Sequence, residues 1–218
     1  MSLSLTLNGN SSSLENTFFP PIILDGEWEI GLLNFETFNS IPNVNFGRIQ
    51  VEDKLLTIPQ GAYEISDIAN LVNEEFGSDV NIKGNKNTLK SEVYCKKICK
   101  IYDEVADLLG FNGSTIFQPN ILYVSPNPAN ICKINVIRVD CSIATGAFLN
   151  AKKTHTIHEF FPSVAPGFKI SEAPFIVLYH SINTKELSTI KIDILDQDGC
   201  HVNLRGETVT IRVHLRQR

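Results

Sequence analysis

The chain has 218 residues, 43% of them apolar and 20% charged, with a formal net charge of −5. That length suits one large β domain or two small ones, and the acidic balance argues against tight nonspecific nucleic-acid binding by the whole surface. Five cysteines, an odd count without a secretory signal at Met1–Leu7, imply reduced thiols and folding inside a cell. No apolar run approaches the roughly 18 residues of a membrane helix.

Leu3, Leu5 and Leu7 alternate with Ser4 and Thr6, as in a short strand or an extended arm. The polar Asn8–Ser13 stretch follows, so residues 1–17 are expected to form an N-terminal arm. Phe18–Leu24 contains Pro20 and Pro21, which cannot donate to a ladder, and reads as an edge strand or a lead-in. After the Asp25-Gly26 turn, Glu27–Phe38 reads as a long strand. Trp28, Ile30 and Leu32 share one face, and Glu27 and Glu29 the other. Past Leu32-Leu33 the phase flips, and Leu33 and Phe35 become the apolar set, the mark of a β-bulge.

Residues 39–45 read as a loop, and Arg48–Ile58 as one or two short strands. A helix is predicted over Ser66–Phe76, with Ser66 as N-cap and Gly77 as stop. Val80–Lys83 and Thr88–Val93 form a hairpin around residues 84–87, and a short helix over Tyr102–Leu109 ends at Gly110. Together these predict a small α+β insertion at about 59–112, interrupting a β domain that spans 18–218.

Phe111–Ile131 is rich in Pro and Asn and reads as loop, with a short strand at Ile121–Val124. In Asn135–Ile143 the residues Ile137, Val139, Cys141 and Ile143 are expected to face inward, and Val136, Arg138, Asp140 and Ser142 outward. Thr154–Phe161 is the next strand. Phe175–His180 is a continuous apolar run suited to a strand buried on both faces. Ile190–Leu195, Asp196–Gly199 and Thr208–Leu215 read as a terminal hairpin.

No constellation of side chains argues for catalysis. Cys95 and Cys99 are four apart, but Cys132 and Cys141 do not supply a second pair at zinc spacing, so idle thiols are expected. His155 and His158 are three apart, not four as in H-E-x-x-H, and Pro162 would soon end a helix. Asp196-Gln197-Asp198-Gly199 resembles part of a calcium loop. Ile194 and Arg205 stand where ligands would be needed, and a tight turn explains the residues. Glu27, Glu29 and Glu36 are read as the wet face of a strand. Arg205, Arg212, Arg216 and Arg218 are read as a solvated strand face and tail, with packaged DNA as the alternative contact. The glycosylation patterns at Asn10 and Asn112 carry no meaning without secretion. Phosphate-loop, nucleophile-elbow and dinucleotide motifs are absent. No catalytic, cofactor-binding or metal-binding residues are assigned, and no cofactor is expected.

The motifs, taken in order, resemble a known family. Leu24-Asp25-Gly26-Glu27-Trp28-Glu29-Ile30-Gly31-Leu32 looks like its first signature. Ile58-Pro59-Gln60-Gly61-Ala62-Tyr63-Glu64, leading into a helix, looks like the second, and Leu108-Leu109-Gly110-Phe111 like the third. His155-Thr156-Ile157-His158-Glu159-Phe160-Phe161-Pro162 and Arg205-Gly206-Glu207-Thr208 before the last strand complete the set. The family is the minor capsid, or penton, protein of Polinton/Maverick elements and of adintovirus- and virophage-like viruses, and the similarity covers about residues 18–218. It implies a single jelly-roll β-sandwich and a non-enzymatic structural role. It further implies homopentamers at the fivefold vertices of an icosahedral capsid, beside a separate double jelly-roll major capsid protein. The expected location is the virion capsid, assembled in the host cytoplasm or nucleus. A glycan- or receptor-binding attachment module, or a host-domesticated binding protein, is the alternative function.

Overall fold

A computed structural model describes all 218 residues. The chain divides into two compact units, Met1–Ile41 with Ile134–Arg218, and Pro42–Lys133. In chain order, the first unit opens with β1 (Ser2–Gly9), β2 (Ser13–Ile23) and β3 (Trp28–Phe38). The second unit holds β4 (Gly47–Val51), β5 (Lys54–Ile58), α1 (Ile65–Phe76), β6 (Val80–Asn85), β7 (Lys90–Cys95), β8 (Cys99–Ile101), α2 (Asp103–Leu108), β9 (Thr115–Phe117) and β10 (Leu122–Val124). The first unit then resumes with β11 (Ile137–Cys141), β12 (Ala144–Thr145), β13 (Ala147–Leu149), β14 (Lys152–Thr154), β15 (Thr156–Phe160), β16 (Lys169–Glu172), β17 (His180–Ile182), β18 (Glu186–Leu195) and β19 (Val209–Gln217).

The first unit is a sandwich of two antiparallel sheets. One runs β1-β19-β3-β17-β12, with β16 also on β3, and the other runs β15-β11-β18-β2. Its core follows from strict alternation. Val209, Ile211, Val213 and Leu215 of β19 are fully buried, as are Ile190, Ile192 and Ile194 of β18. Both sets belong to one apolar cluster that also includes Phe35, Ile137 and Val139. Between β3 and β19 the register shifts, so that Arg212 faces Asn34 while Val213 faces Leu32. The extra residue is Leu33, which is half-buried, while Leu32 and Phe35 both point into the core. The bulge anticipated from the phase flip is therefore present, with Phe35 on its inner side.

The second unit has its own core. The sheets β5-β4-β8-β9 and β10-β7-β6, with α1 and α2, bury Ile49, Ile68, Val72, Val93, Leu108 and Phe117. The cap of α1 is Glu64 rather than Ser66: its backbone N–H donates to Asp67 Oδ2 at 2.8 Å in a reciprocal capping box. The Glu104 carboxylate of α2 accepts from the backbone N–H groups of Asn45 and Phe46, fixing the loop before β4.

Five expectations are corrected. Residues 1–17 are not an arm: β1 pairs with β19 from Ser2↔Arg216 to Gly9↔Val209, and Leu7 is fully buried. The flank of β19 away from β3 needed a partner, and the apolar face of β1 supplies it. The inserted unit is wider than 59–112, because β4 pairs with β8 and the loop-like stretch after Gly110 contributes β9 with its buried Phe117. The terminal hairpin does not form, since β18 and β19 lie in different sheets. Its turn is real, with the Gly199 N–H donating to the Asp196 carbonyl at 3.1 Å, but it pairs only Leu195 with His201 before the chain crosses to the other sheet. Arg138 is buried rather than outward, because β11 is interior to its sheet and the Asp196–Gly199 turn packs close to its guanidinium. Finally, the apolar run Phe175–His180 is not a buried strand. Only His180 of it is in a strand, and Phe175, Ile176 and Leu178 are exposed.

The folded-in position of β1 has a measurable consequence. Leu7→Ala removes a fully buried side chain and should lower unfolding free energy by about 2–5 kcal/mol. Urea unfolding followed by Trp28 fluorescence tests this, and a loss near zero would return β1 to a mobile arm.

Candidate interaction surfaces

Most of the side chains considered for chemistry are engaged structurally. No three His, Cys, Asp or Glu side chains come together as a metal site. Cys95 and Cys99 are buried at the ends of β7 and β8. A hydrogen bond between the two sulfurs pushes the Cys99 thiol far up, with burial adding to the rise, and draws Cys95 down against its own burial. Burial raises Cys141 to about 11. Neither Cys99 nor Cys141 is therefore a ready thiolate near neutral pH. The His155 ring contacts the Ala144 carbonyl at 2.7 Å, and His158 contacts Glu172 at 2.9 Å, so the two histidines serve different neighbours. Asp196 turns its carboxylate onto the N–H groups of Asp198 and Cys200, at 2.9 and 2.8 Å, as a turn-forming residue does.

The basic carboxyl end is largely neutralised within the chain. Arg216 donates to Glu29 at 3.1 Å, and Arg218 lies 3.6 Å from the same carboxylate and 3.9 Å from Glu27. Arg216 also stacks on the Tyr179 ring at 3.5 Å. Two of the four arginines of the carboxyl end, Arg216 and Arg218, are thus held by the outer face of their own sheet. Glu36 pairs with Lys169, and that hydrogen bond holds its carboxyl below the usual range.

What remains bare is apolar. β16 and β17 both pair with β3, at Glu172↔Phe35 and His180↔Ile30. Seven residues, 173–179, bridge the gap that four residues of β3 span, so the surplus chain stands out as a strap. Phe175 is 101% exposed, Ile176 69% and Leu178 64%. The strap is anchored from beneath. Its backbone passes so close to Gly31 that a Cβ there would lie 2.5 Å from Val177 Cγ1 and 2.8 Å from the Leu178 carbonyl oxygen. At its end the Tyr179 hydroxyl meets His214 Nδ1 at 2.8 Å. An anchored strap that presents three large apolar side chains to water is built to be covered.

A second bare patch lies on β2, the edge strand of the other sheet. The β2–β18 register jumps from Thr17↔Thr189 to Ile22↔Leu187, so Phe18–Pro21 bulge from the ladder opposite one residue. Phe18 packs against the core, Phe19 is 98% exposed, and Ile23 nearby is 60% exposed. Pro20 and Pro21 leave no N–H here for an added strand.

In the second unit, the outer face of the β5-β4-β8-β9 sheet aligns Leu55, Gln50, Lys100 and Ile116 across four strands. Beside them the cations of Arg48 and Lys100 each lie 4.5 Å from the Tyr102 ring centre, and the Tyr102 hydroxyl donates to Gln50 at 2.7 Å. Phe46, 59% exposed, borders Arg48.

With this geometry in place, the fold resolves to a mainly β, jelly-roll-like architecture of the penton type. Among solved structures the chain is similar to the mavirus penton protein, with a TM-score of 0.53 over 100% of this chain and 99% of that one, at 11% sequence identity. The sequence itself matches no family model and no curated protein. The likeness is therefore one of fold. No helix is long and apolar enough to cross a membrane.

The strap was not legible as such in the sequence. Its signal was Pro174, which denies a ladder donor just before the apolar run. Because the strap rests on a residue with no side chain, Gly31→Ala should displace it and cost about 1–3 kcal/mol of stability. A melting shift together with faster proteolysis at 173–179 would register this. An unchanged melt and unchanged cleavage would show that the strap is not held there.

Proposed function

We propose that the protein is a minor capsid, or penton, protein that forms the fivefold vertices of an icosahedral capsid of the Polinton/Maverick and adintovirus- or virophage-like kind. Five copies make the vertex, a separate double jelly-roll major capsid protein surrounds it, and assembly takes place inside the host cell. The end-to-end likeness to the mavirus penton protein carries this reading. The bare apolar strap and edge bulge support it, since a protein whose work is assembly keeps its large apolar side chains for partners. The role needs no cofactor and no catalytic group. Native mass spectrometry and negative-stain imaging test it. A ring of five chains is the expected result, and a strict monomer at high concentration, alone and with the major capsid protein, would count decisively against it.

A second reading, an attachment role within the same particle, is favoured by the face around Tyr102. Two cations held on one ring, a neighbouring amide and an exposed phenyl suit a sugar that carries a carboxylate or sulfate, with its apolar face on Phe46. Packaged DNA suits this face less, because the net charge of the chain is −5. On a glycan array, acidic glycans should be retained, and Arg48→Ala with Lys100→Ala should weaken them at least tenfold without changing the melt. Equal binding by wild type and variant would remove this face from consideration.

A further inference from the structure

The vertex reading says that copies meet but not through what, and two of the bare apolar patches of the first unit, the strap and the β2 bulge, address that question. We infer that the strap 173–179 of one copy packs against the Phe19 bulge of β2 in the next copy, so that the ring is closed by one repeated strap-to-edge contact. The inference rests on the penton reading.

A ring joins unlike surfaces, because each copy must offer one patch forward and a different one backward. The strap and the bulge satisfy that condition. They belong to different sheets, the strap on β3 and the bulge on β2. They also lie at different places on the sandwich. β1 and β2 lie together at one lateral side, whereas the strap lies over the outer face of the other sheet, with Val177 against Gly31 and Tyr179 on His214. Each patch is bare in the single chain, with Phe175 at 101% and Phe19 at 98% exposure, so neither is covered by its own chain.

The patches also match in chemistry and size. Phe175, Ile176 and Leu178 expose on the order of 400 Å² of apolar surface, the scale of the largest patch on a typical monomer and roughly half of one partner's share of a standard interface. Phe19 and Ile23 present the same apolar chemistry on the receiving side. Charges play little part, because Arg216, Arg218, Glu29, Lys169 and Glu36 already satisfy one another within the chain. Pro20 and Pro21 offer no N–H to an added strand, so at the bulge the partner arrives through side chains and not by extending the sheet.

The test uses the full chain at graded concentrations. Phe175→Ser and Phe19→Ser alter side chains that touch nothing in the monomer, so circular dichroism and the monomer melt should stay as in wild type. Each substitution should raise the concentration at which rings form by roughly thirtyfold or more. In a second arm, the exposed Cys132 and Cys200 are first changed to Ser. Chains carrying Phe19→Cys are then mixed with chains carrying Ile176→Cys under diamide. Covalent dimers of one chain of each kind are expected, and chains carrying both substitutions should give a ladder that ends at five. Rings that persist in both serine variants, with no mixed dimer, would overturn this contact and leave the penton reading standing. Wild-type chains that never associate, alone or with the major capsid protein, would overturn the penton reading and the contact with it.

Discussion

The ladder between β3 and β19 is the pairing on which the first unit depends. It runs from Thr210↔Glu36 to Gln217↔Trp28, and β19 is also paired along its other flank by β1. A one-residue slip in such a ladder would turn Arg212, His214 and Arg216 inward and Val213 and Leu215 outward. The bulge at Leu33 prevents that. By absorbing one residue of β3 it keeps Trp28, Ile30 and Leu32 on the core side before it and Phe35 and Thr37 on the core side after it. β19 can then remain regular, and β1 copies its register. The outer face that results carries the Glu29–Arg216 pair and Tyr179 on His214, and these in turn tether the strap. One extra leucine thus fixes the face that the strap lies on.

Most strands could be read from alternation, because period-two burial is written directly into residues such as Leu3, Leu5 and Leu7 or Ile190, Ile192 and Ile194. Which strand pairs with which could not. Asp196–Gly199 has the chemistry of a tight turn whether the chain returns along the same sheet or crosses to the other, since Asp and Gly supply the same local geometry in both cases. Only the need of β19 for two partners, β1 and β3, decides against pairing with β18. The same tertiary demand turns an apparent arm into an edge strand of the sandwich. In the second unit, α1 and the β6–β7 hairpin were legible from periodicity and turn residues. β9 was not, because three residues carry too little pattern to separate Phe117 from a loop.

The exposed apolar strap was misread for a specific reason. Four consecutive apolar residues, Phe175–Leu178, have no periodicity, so sequence alone cannot separate a strand buried on both faces from a loop meant to be buried by something else. The same physics that removes such a run from water in a monomer removes it in an assembly, and the chain carries no marker of which will happen. The inferred functional surface therefore lay in the stretch where reading by burial pattern is weakest. The arginines at the carboxyl end drew attention for the opposite reason. Charge is conspicuous in a sequence, but here Arg216 and Arg218 are largely paired with Glu29 and Glu27.

On the proposed vertex role, the sandwich faces a risk at its edges, because open strands invite unlimited addition. Some of its edges are blunted, although β1 and β15 are edge strands of eight and five residues. On one side β2 carries Pro20, Pro21 and a four-residue bulge, and on the other β12 is two residues long and β17 three. Sheet extension is suppressed at β2 and β12, and association at those edges is left to protruding side chains. Contacts of that kind close into a ring where the rotation between copies closes, and run on as a filament where it does not. A shell vertex needs closure more than it needs raw affinity, since its copy number is dictated by the lattice around it.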